Sequence, residues 1–250
     1  MKAPAPPRRD VGSHARAEKW YNQPRMPAIR DRYATAAALE TLGVVAVVRL
    51  KDAARVRDTV DALAAGGVRA IEVTMTVPGA VDVLREIAPG LPSDFIVGAG
   101  TVLDVGTARA VIEAGASFVV GPVFRKDVIR ACHEFGAAVV PGCFSPTEIL
   151  AAHDAGADIV KVFPATSLGP QFIKDVRAPL PHVKLMPTGG VSLDNAGDWI
   201  RAGAVAVGLG SALVDAAAVA RGDFETIAAN ARRVVANVAS ARAAAAGGSR

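Results

Sequence analysis

Apolar positions gather into eight short runs: Val44–Arg49, Ala70–Thr74, Phe95–Gly98, Phe118–Gly121, Ala138–Pro141, Ile159–Phe163, Lys184–Pro187 and Val205–Gly208. They are rich in Val and Ile and largely apolar at both parities, the pattern of strands in a parallel sheet covered on both faces. Helical spacing fills the stretches between them, and a first helical pattern runs from near Thr35 to Gly43. Five helical stretches end in small-residue turns: Ala65-Gly66-Gly67, Ala114-Gly115-Ala116, Phe135-Gly136-Ala137, Ala155-Gly156-Ala157 and Ala202-Gly203-Ala204. Glycine is the usual left-handed cap of a helix C-terminus. The runs begin roughly 20–26 residues apart. Eight such βα units predict an α/β fold, a single (β/α)8 TIM barrel over residues 33–242. An open doubly wound sheet would need fewer strands or a topological switch, and neither is apparent.

Outside the repeat the pattern lapses. Residues 1–32 hold Pro4, Pro6, Pro7, Pro24 and Pro27 with no sustained periodicity. They read as a loosely ordered leader with a short helix near residues 15–21. Residues 243–250 read as a frayed tail. The formal charge of +4 is unevenly placed: eight basic and three acidic side chains give residues 1–32 a charge of +5, leaving −1 for the remainder. A nucleic-acid or anionic-membrane partner would therefore rest on the leader alone, and none is expected. No apolar run approaches the ~20 residues of a membrane span, and the N-terminus lacks the apolar core of a secretory signal. Two cysteines, Cys132 and Cys143, form no disulfide framework and suit a reducing cytoplasm.

Lys161 is the informative residue of the sixth run. A lone ammonium in a buried strand loses its hydration. The common escape is a lowered pKa, and a neutral lysine amine attacks carbonyls. A lysine paired with a carboxylate, or reaching solvent at the strand end, is the structural alternative. Strand parity then links three ionisable residues. Val45, Val47 and Arg49 share one face of the first strand, Ala70, Glu72 and Thr74 one face of the second, and Ile159, Lys161 and Phe163 one face of the sixth. Arg49, Glu72 and Lys161 can thus converge at the mouth of a barrel, either as a site or as a structural charge network. A carboxylate beside a cation can carry protons to and from carbon.

Glycine-rich loops follow the third, seventh and eighth runs: Gly98-Ala99-Gly100-Thr101, Pro187-Thr188-Gly189-Gly190-Val191 and Gly208-Leu209-Gly210-Ser211. The first lacks the third glycine of a dinucleotide fingerprint. The other two sit where barrels of this kind grip phosphate, through exposed backbone N–H groups; Ser211 can add a hydroxyl donor. His14, His133, His153 and His182 form no close-spaced ligand set, so no metal is expected, and His133 and His153 read as helix-surface residues. Cys143 has no neighbouring base to make it a nucleophile.

From about Thr35 to Ser240 the chain resembles the bacterial 2-keto-3-deoxy-6-phosphogluconate (KDPG) and 4-hydroxy-2-oxoglutarate (KHG) aldolases. The resemblance is carried by Ile71-Glu72-Val73-Thr74, Gly98 through Leu103, Val140-Pro141-Gly142, Val160-Lys161-Val162-Phe163-Pro164-Ala165 and Pro187 through Val191. It implies a class I aldolase that needs no cofactor. Lys161 would form the Schiff base with the C2 carbonyl, and Glu72 would relay protons through a water. Thr101, Pro122 and Phe163 would line the pyruvate pocket. Thr188 would join the substrate site, and Gly189, Gly190, Gly210 and Ser211 would hold the phosphate. The products would be pyruvate and glyceraldehyde 3-phosphate. The family is typically homotrimeric, so a homotrimer is expected.

One departure bears on the substrate carboxylate. Some members carry an arginine where this chain has Thr76; here Arg49 is expected to take that part, as in another branch of the family. The 6-phosphogalactonate relatives share Gly169-Pro170-Gln171 but not, typically, the Pro187-Thr188 pair, which favours the gluconate epimer. Cleavage of 4-hydroxy-2-oxoglutarate or of the galactonate epimer by the same amine remains the alternative enzyme reading. A scaffold or shell-associated barrel docked through the basic leader is the non-enzymatic one.

Overall fold

The computed structural model describes residues 31–247. The expected leader, apart from Asp31 and Arg32, lies outside the described residues, as does the tail beyond Gly247. Helix α1 (Arg32–Leu42) comes first, followed by β1 (Val44–Val48), α2 (Val56–Ala65), β2 (Ala70–Thr74), α3 (Ala80–Ile87), β3 (Ile96–Gly100) and α4 (Val105–Glu113). Next are β4 (Phe118–Val120), α5 (Lys126–Glu134), β5 (Ala138–Val140), β6 (Gly142–Cys143), α6 (Pro146–Asp154), β7 (Val160–Val162) and α7 (Gly169–Arg177). The last elements are β8 (Leu185–Pro187), α8 (Ala196–Arg201), β9 (Val207–Leu209), α9 (Ala216–Arg221) and α10 (Phe224–Gly247). The helix α10 continues through much of the stretch expected to fray.

All eight apolar runs contain strand, but they form two parallel sheets where the sequence predicts one ring. A six-stranded sheet runs β5-β4-β3-β2-β1-β9, and a three-stranded sheet runs β6-β7-β8. The break has a local cause. Pro141 lacks the N–H that would carry the ladder from β5 into β6. Its carbonyl still accepts from the Lys161 N–H at 2.9 Å. Between β8 and β9 the ladder shrinks to a bridge from Thr188 to Gly208, beside a Val205 N–H to Leu185 carbonyl bond of 3.0 Å.

Strand parity divides the apolar residues into two cores. One parity (Val44, Ala46, Val48, Ile71, Val73, Val160, Val162) packs against the flanking helices. The other (Val45, Ala70, Ile96, Phe118, Ala138, Ile159, Met186, Ala206) forms a second cluster with Ala36 and Leu39 of α1. Helix α1 therefore seals the end of this inner cluster where the strands begin. Asp31 caps its start, and Gly43, at φ 72°, ends it in the left-handed conformation. Arg32 pairs with Asp158 at 2.8 Å and Lys184 with Glu40 at 2.6 Å. Arg242 of α10 donates to the carbonyls of Glu40 and Thr41 at the helix end and, at 2.8 Å, to that of Val205. A cation on the last carbonyls of a helix is favourable. With the strand starts sealed, the inward face can open only where the strands end, and the glycine-rich loops lie there. No helix of the described residues is long and apolar enough to cross a membrane.

Candidate active site

Lys161 occupies the middle of β7, opposite Gly142 on one side and Met186 on the other. Val160 and Val162 point to the helices, so Lys161 projects inward, two positions beyond Ile159 of the inner cluster. It is 5% exposed. Its Nζ lies 4.6 Å from the centre of the Phe163 ring, and among the described residues no carboxylate comes within ion-pair distance of it. Burial pushes its pKa down; the Glu72 carboxylate opposes the shift and Arg49 adds to it.

Glu72 sits at the centre of β2, between Val47 and Gly98, and is 1% exposed. Burial raises its pKa, while Lys161 and Arg49 pull it down. Its Oε2 is buried without a hydrogen-bond partner. Burial thus disfavours the charged form of each: the neutral amine can add to a carbonyl, and the carboxyl, with its pKa raised, can take a proton when ionised and give it back when neutral.

Arg49 follows β1 and is exposed, with no acidic partner among the described residues, yet its charge acts on both Glu72 and Lys161. Thr76 cannot replace it. Its hydroxyl meets that of Thr74 at 2.7 Å, and Thr74 Oγ1 lies 3.3 Å from the Val48 carbonyl.

Of the pyruvate-pocket candidates, Phe163 lies against the amine itself. Thr101, just after β3, has φ 62° and is the one non-glycine residue with positive φ among the described residues. For a β-branched residue this is a true outlier, a strain of about 1–3 kcal/mol of the sort found at functional sites. Pro122 follows β4 and packs on Gly142: a Cβ there would lie 2.4 Å from the Pro122 carbonyl. Gly142 thereby brings that loop beside the strand carrying Lys161. Phe163 provides the ring under the amine.

Thr188 is 7% exposed with an unpartnered Oγ1, and it fills the space over Gly208, where a Cβ would come within 2.4 Å of that oxygen. Their bridge sets the two glycine loops side by side. Gly189 and Gly190 have φ of 88° and 73°. A Cβ on Gly190 would also meet the Thr166 Cα at 2.7 Å, so glycine is required there on two counts. Asn195 braces the loop, with its Nδ2 donating to the Gly190 carbonyl at 3.0 Å and its Oδ1 accepting from Ser192 N–H at 2.7 Å. In the second loop the Gly210 carbonyl accepts from Leu213 and Val214 N–H. The N–H groups of Gly190, Ser211 and Ala212 have no partner among the described residues. Unpaired donors on adjacent loops suit an anion.

Sequence reading missed the bracing part of Asn195 and the space-making parts of Gly98, Gly100 and Gly142. His133 is half-buried beside Asp158, 3.8 Å away, rather than a surface residue, and His153 is half-buried with its ring 4.9 Å from that of His182. Burial pushes the Cys143 thiol up to about 12, far from a thiolate. Among the described residues no three His, Cys, Asp or Glu side chains cluster to hold a metal.

Proteins of similar sequence and shape are known. The family described as "Aldolase: KDPG and KHG aldolase" matches residues 35–230. A 2-dehydro-3-deoxy-phosphogluconate aldolase of Treponema pallidum is 38% identical over 194 residues, 76% of this chain and 90% of that protein. A solved structure described as native KDPGal superposes with a TM-score of 0.76 at 31% identity, covering 81% of this chain and 97% of that one. The KDPG aldolase of Legionella pneumophila, with pyruvate captured as a covalent carbinolamine, superposes with a TM-score of 0.74 at 28% identity, covering 80% and 97%. On the extent of these matches, the chain belongs to the KDPG and KHG aldolase family.

Proposed function

We propose that this protein is a class I aldolase cleaving KDPG to pyruvate and glyceraldehyde 3-phosphate. The observation that carries this reading is Lys161: a residue 5% exposed whose amine has a lowered pKa and no close carboxylate among the described residues. The amine adds to the C2 carbonyl and water leaves, giving a protonated imine. Glu72 accepts the proton of the C4 hydroxyl through a water as the C3–C4 bond breaks. The bonding pair flows to the imine nitrogen, and the aldehyde departs. Glu72 then returns a proton to C3, and hydrolysis releases pyruvate. Thr101, Pro122 and Phe163 enclose the three-carbon end, and Arg49 grips its carboxylate. Thr188 borders the substrate, while Gly189, Gly190, Gly210 and Ser211 hold the phosphate. Comparing kcat/KM for KDPG, its galactonate epimer and 4-hydroxy-2-oxoglutarate tests the substrate. The reading expects KDPG to be best, and a preference for either of the others overturns it.

We also propose that the two sheets are arcs of one closed eight-stranded barrel. The Thr188–Gly208 bridge, the Val205–Leu185 bond and the Lys161–Pro141 bond support closure on either side of β7 and β8. A homotrimer fits the exposed Leu103, Val105, Val123 and Phe144 near the ends of β3, β4 and β6, where apolar side chains call for cover. Two free buried thiols fit a reducing cytoplasm.

Three expected results follow from the roles. Arg49→Lys keeps the charge but loses the two parallel hydrogen bonds a guanidinium makes to a carboxylate. It should lower kcat/KM about tenfold or more with an unchanged thermal midpoint, and Arg49→Ala with Thr76→Arg should restore part of what Arg49→Ala loses. Wild-type efficiency in a folded Arg49→Ala would remove Arg49 from the site. Ser211→Asp should raise KM for the phosphorylated substrate far more than for an unphosphorylated analogue; equal effects would mean no grip. Lastly, the depressed Lys161 pKa means that the neutral amine gains population as pH rises, through a midpoint below the ordinary 10.5. Imine formation with pyruvate should follow that midpoint. Glu72→Gln, by removing the opposing charge, should move it lower; Arg49→Ala should move it higher. Movements of the opposite sign would contradict this electrostatic account.

A further inference from the structure

Gly100 ends β3 opposite Thr74, two pairs along from the Glu72–Gly98 pair and on the same face of the strand. A Cβ on Gly100 would lie 1.7 Å from Glu72 Oε1, 2.4 Å from Cδ and 2.6 Å from Cγ. Non-bonded carbons rest about 3.5–4.0 Å apart, so the Glu72 carboxyl occupies the volume that any side chain at position 100 would fill. The backbone of Gly100 does not itself demand glycine, for it is not among the positive-φ residues. Gly98 repeats the device two residues earlier, with the Phe118 ring 2.6 Å from where its Cβ would be. The inward face of β3 is thus bare at two successive inward positions, one holding an aromatic ring and the other a carboxyl.

We propose that Gly100 is a positioning residue for Glu72. Its missing side chain seats the carboxyl against the backbone of β3, buried and beyond ion-pair distance of Lys161. Oε2 is left unpartnered for the proton it must carry. A bulkier residue would drive the carboxyl off this seat, toward the amine or toward solvent, where it would be ionised and less able to donate. Thr101, strained at φ 62°, fixes the turn directly after the seat. The inference rests on the assignment of Glu72 as proton carrier.

The test is Gly100→Ala in the full chain, alone and combined with Glu72→Ala. Three quantities are read: borohydride trapping of pyruvate on Lys161, exchange of pyruvate methyl protons in heavy water across pH, and the thermal midpoint. Gly100→Ala alone should trap pyruvate within a few-fold of wild type but exchange methyl protons about 10²-fold more slowly. The carboxyl-dependent limb of its pH profile should move down as burial is lost. Its thermal midpoint should fall. In the Glu72→Ala background the same substitution should leave the midpoint unchanged or raise it, since the obstruction is gone and alanine suits a strand better than glycine. A soluble double variant beside an insoluble single one supports the seat. Wild-type exchange with an unmoved profile overturns the proposal, as does an equal thermal loss in both backgrounds or insolubility of both variants. Failure of the unaltered chain to trap pyruvate on Lys161 contradicts the aldolase reading instead, so the two failures are separable.

Discussion

Lys161→Ala should lose KDPG cleavage outright, by about 10⁵-fold or more, the scale seen when a covalent nucleophile is removed. Among the described residues no other lysine is buried as Lys161 is, and Lys51, two positions past Arg49, is exposed. Lys184 is engaged with Glu40 at 2.6 Å, and Lys126 and Lys174 belong to the outer helices α5 and α7. The loss should come without unfolding. Lys161 is buried with its amine unpaired among the described residues, so its removal also removes a desolvation cost. Glu72, deprived of the cation that draws its pKa down, should become harder to ionise. Lys161→Arg should be equally inactive, because a guanidinium does not lose its proton and forms no imine. Cleavage within tenfold of wild type in either folded variant would remove Lys161 from the chemistry.

Glu72→Gln is expected to separate the two halves of the reaction. The side chain keeps its size, so the seat over Gly100 stays filled and the imine with pyruvate should still form. Proton traffic at C3 should slow about 10²–10⁴-fold, the usual worth of one general acid–base group, seen as slow loss of methyl protons from pyruvate in heavy water. The stability consequence has a definite sign. The folded pKa of Glu72 is raised, so the carboxyl favours the folded state below its unfolded value near 4.5 and loses that advantage as pH climbs through the folded value. Wild-type stability should therefore decline across that window, and Glu72→Gln should flatten the decline. Exchange at the wild-type rate would assign the proton to another group.

Strand parity already put Arg49, Glu72 and Lys161 on one face in the sequence, because a side chain's direction in a strand depends only on counting by two. The same counting places Val45, Ala70 and Ile159 in the inner cluster. The glycine caps were equally legible: Gly43, Gly67, Gly115, Gly136, Gly156 and Gly203 all take positive φ, as turns after helices require. Sheet continuity was less so. Pro141 stands inside an apolar run and looks harmless until its missing N–H is needed between β5 and β6. Gly98 and Gly100 look like turn residues in sequence, while their reason is Phe118 and Glu72, which lie distant along the chain. The bond from Asn195 to the Gly190 carbonyl likewise depends on a loop path that no local pattern encodes. The conformation of Thr101 has no signal in the sequence, since a β-branched residue is among the last expected at φ 62°.

The most direct test of the account is reduction with borohydride in the presence of pyruvate, followed by peptide mass mapping. The account predicts a stable adduct on the peptide containing Lys161, absent without pyruvate and absent from Lys161→Ala. An adduct on any other lysine, Lys51, Lys126, Lys174 and Lys184 included, or no adduct on an active enzyme, would contradict it.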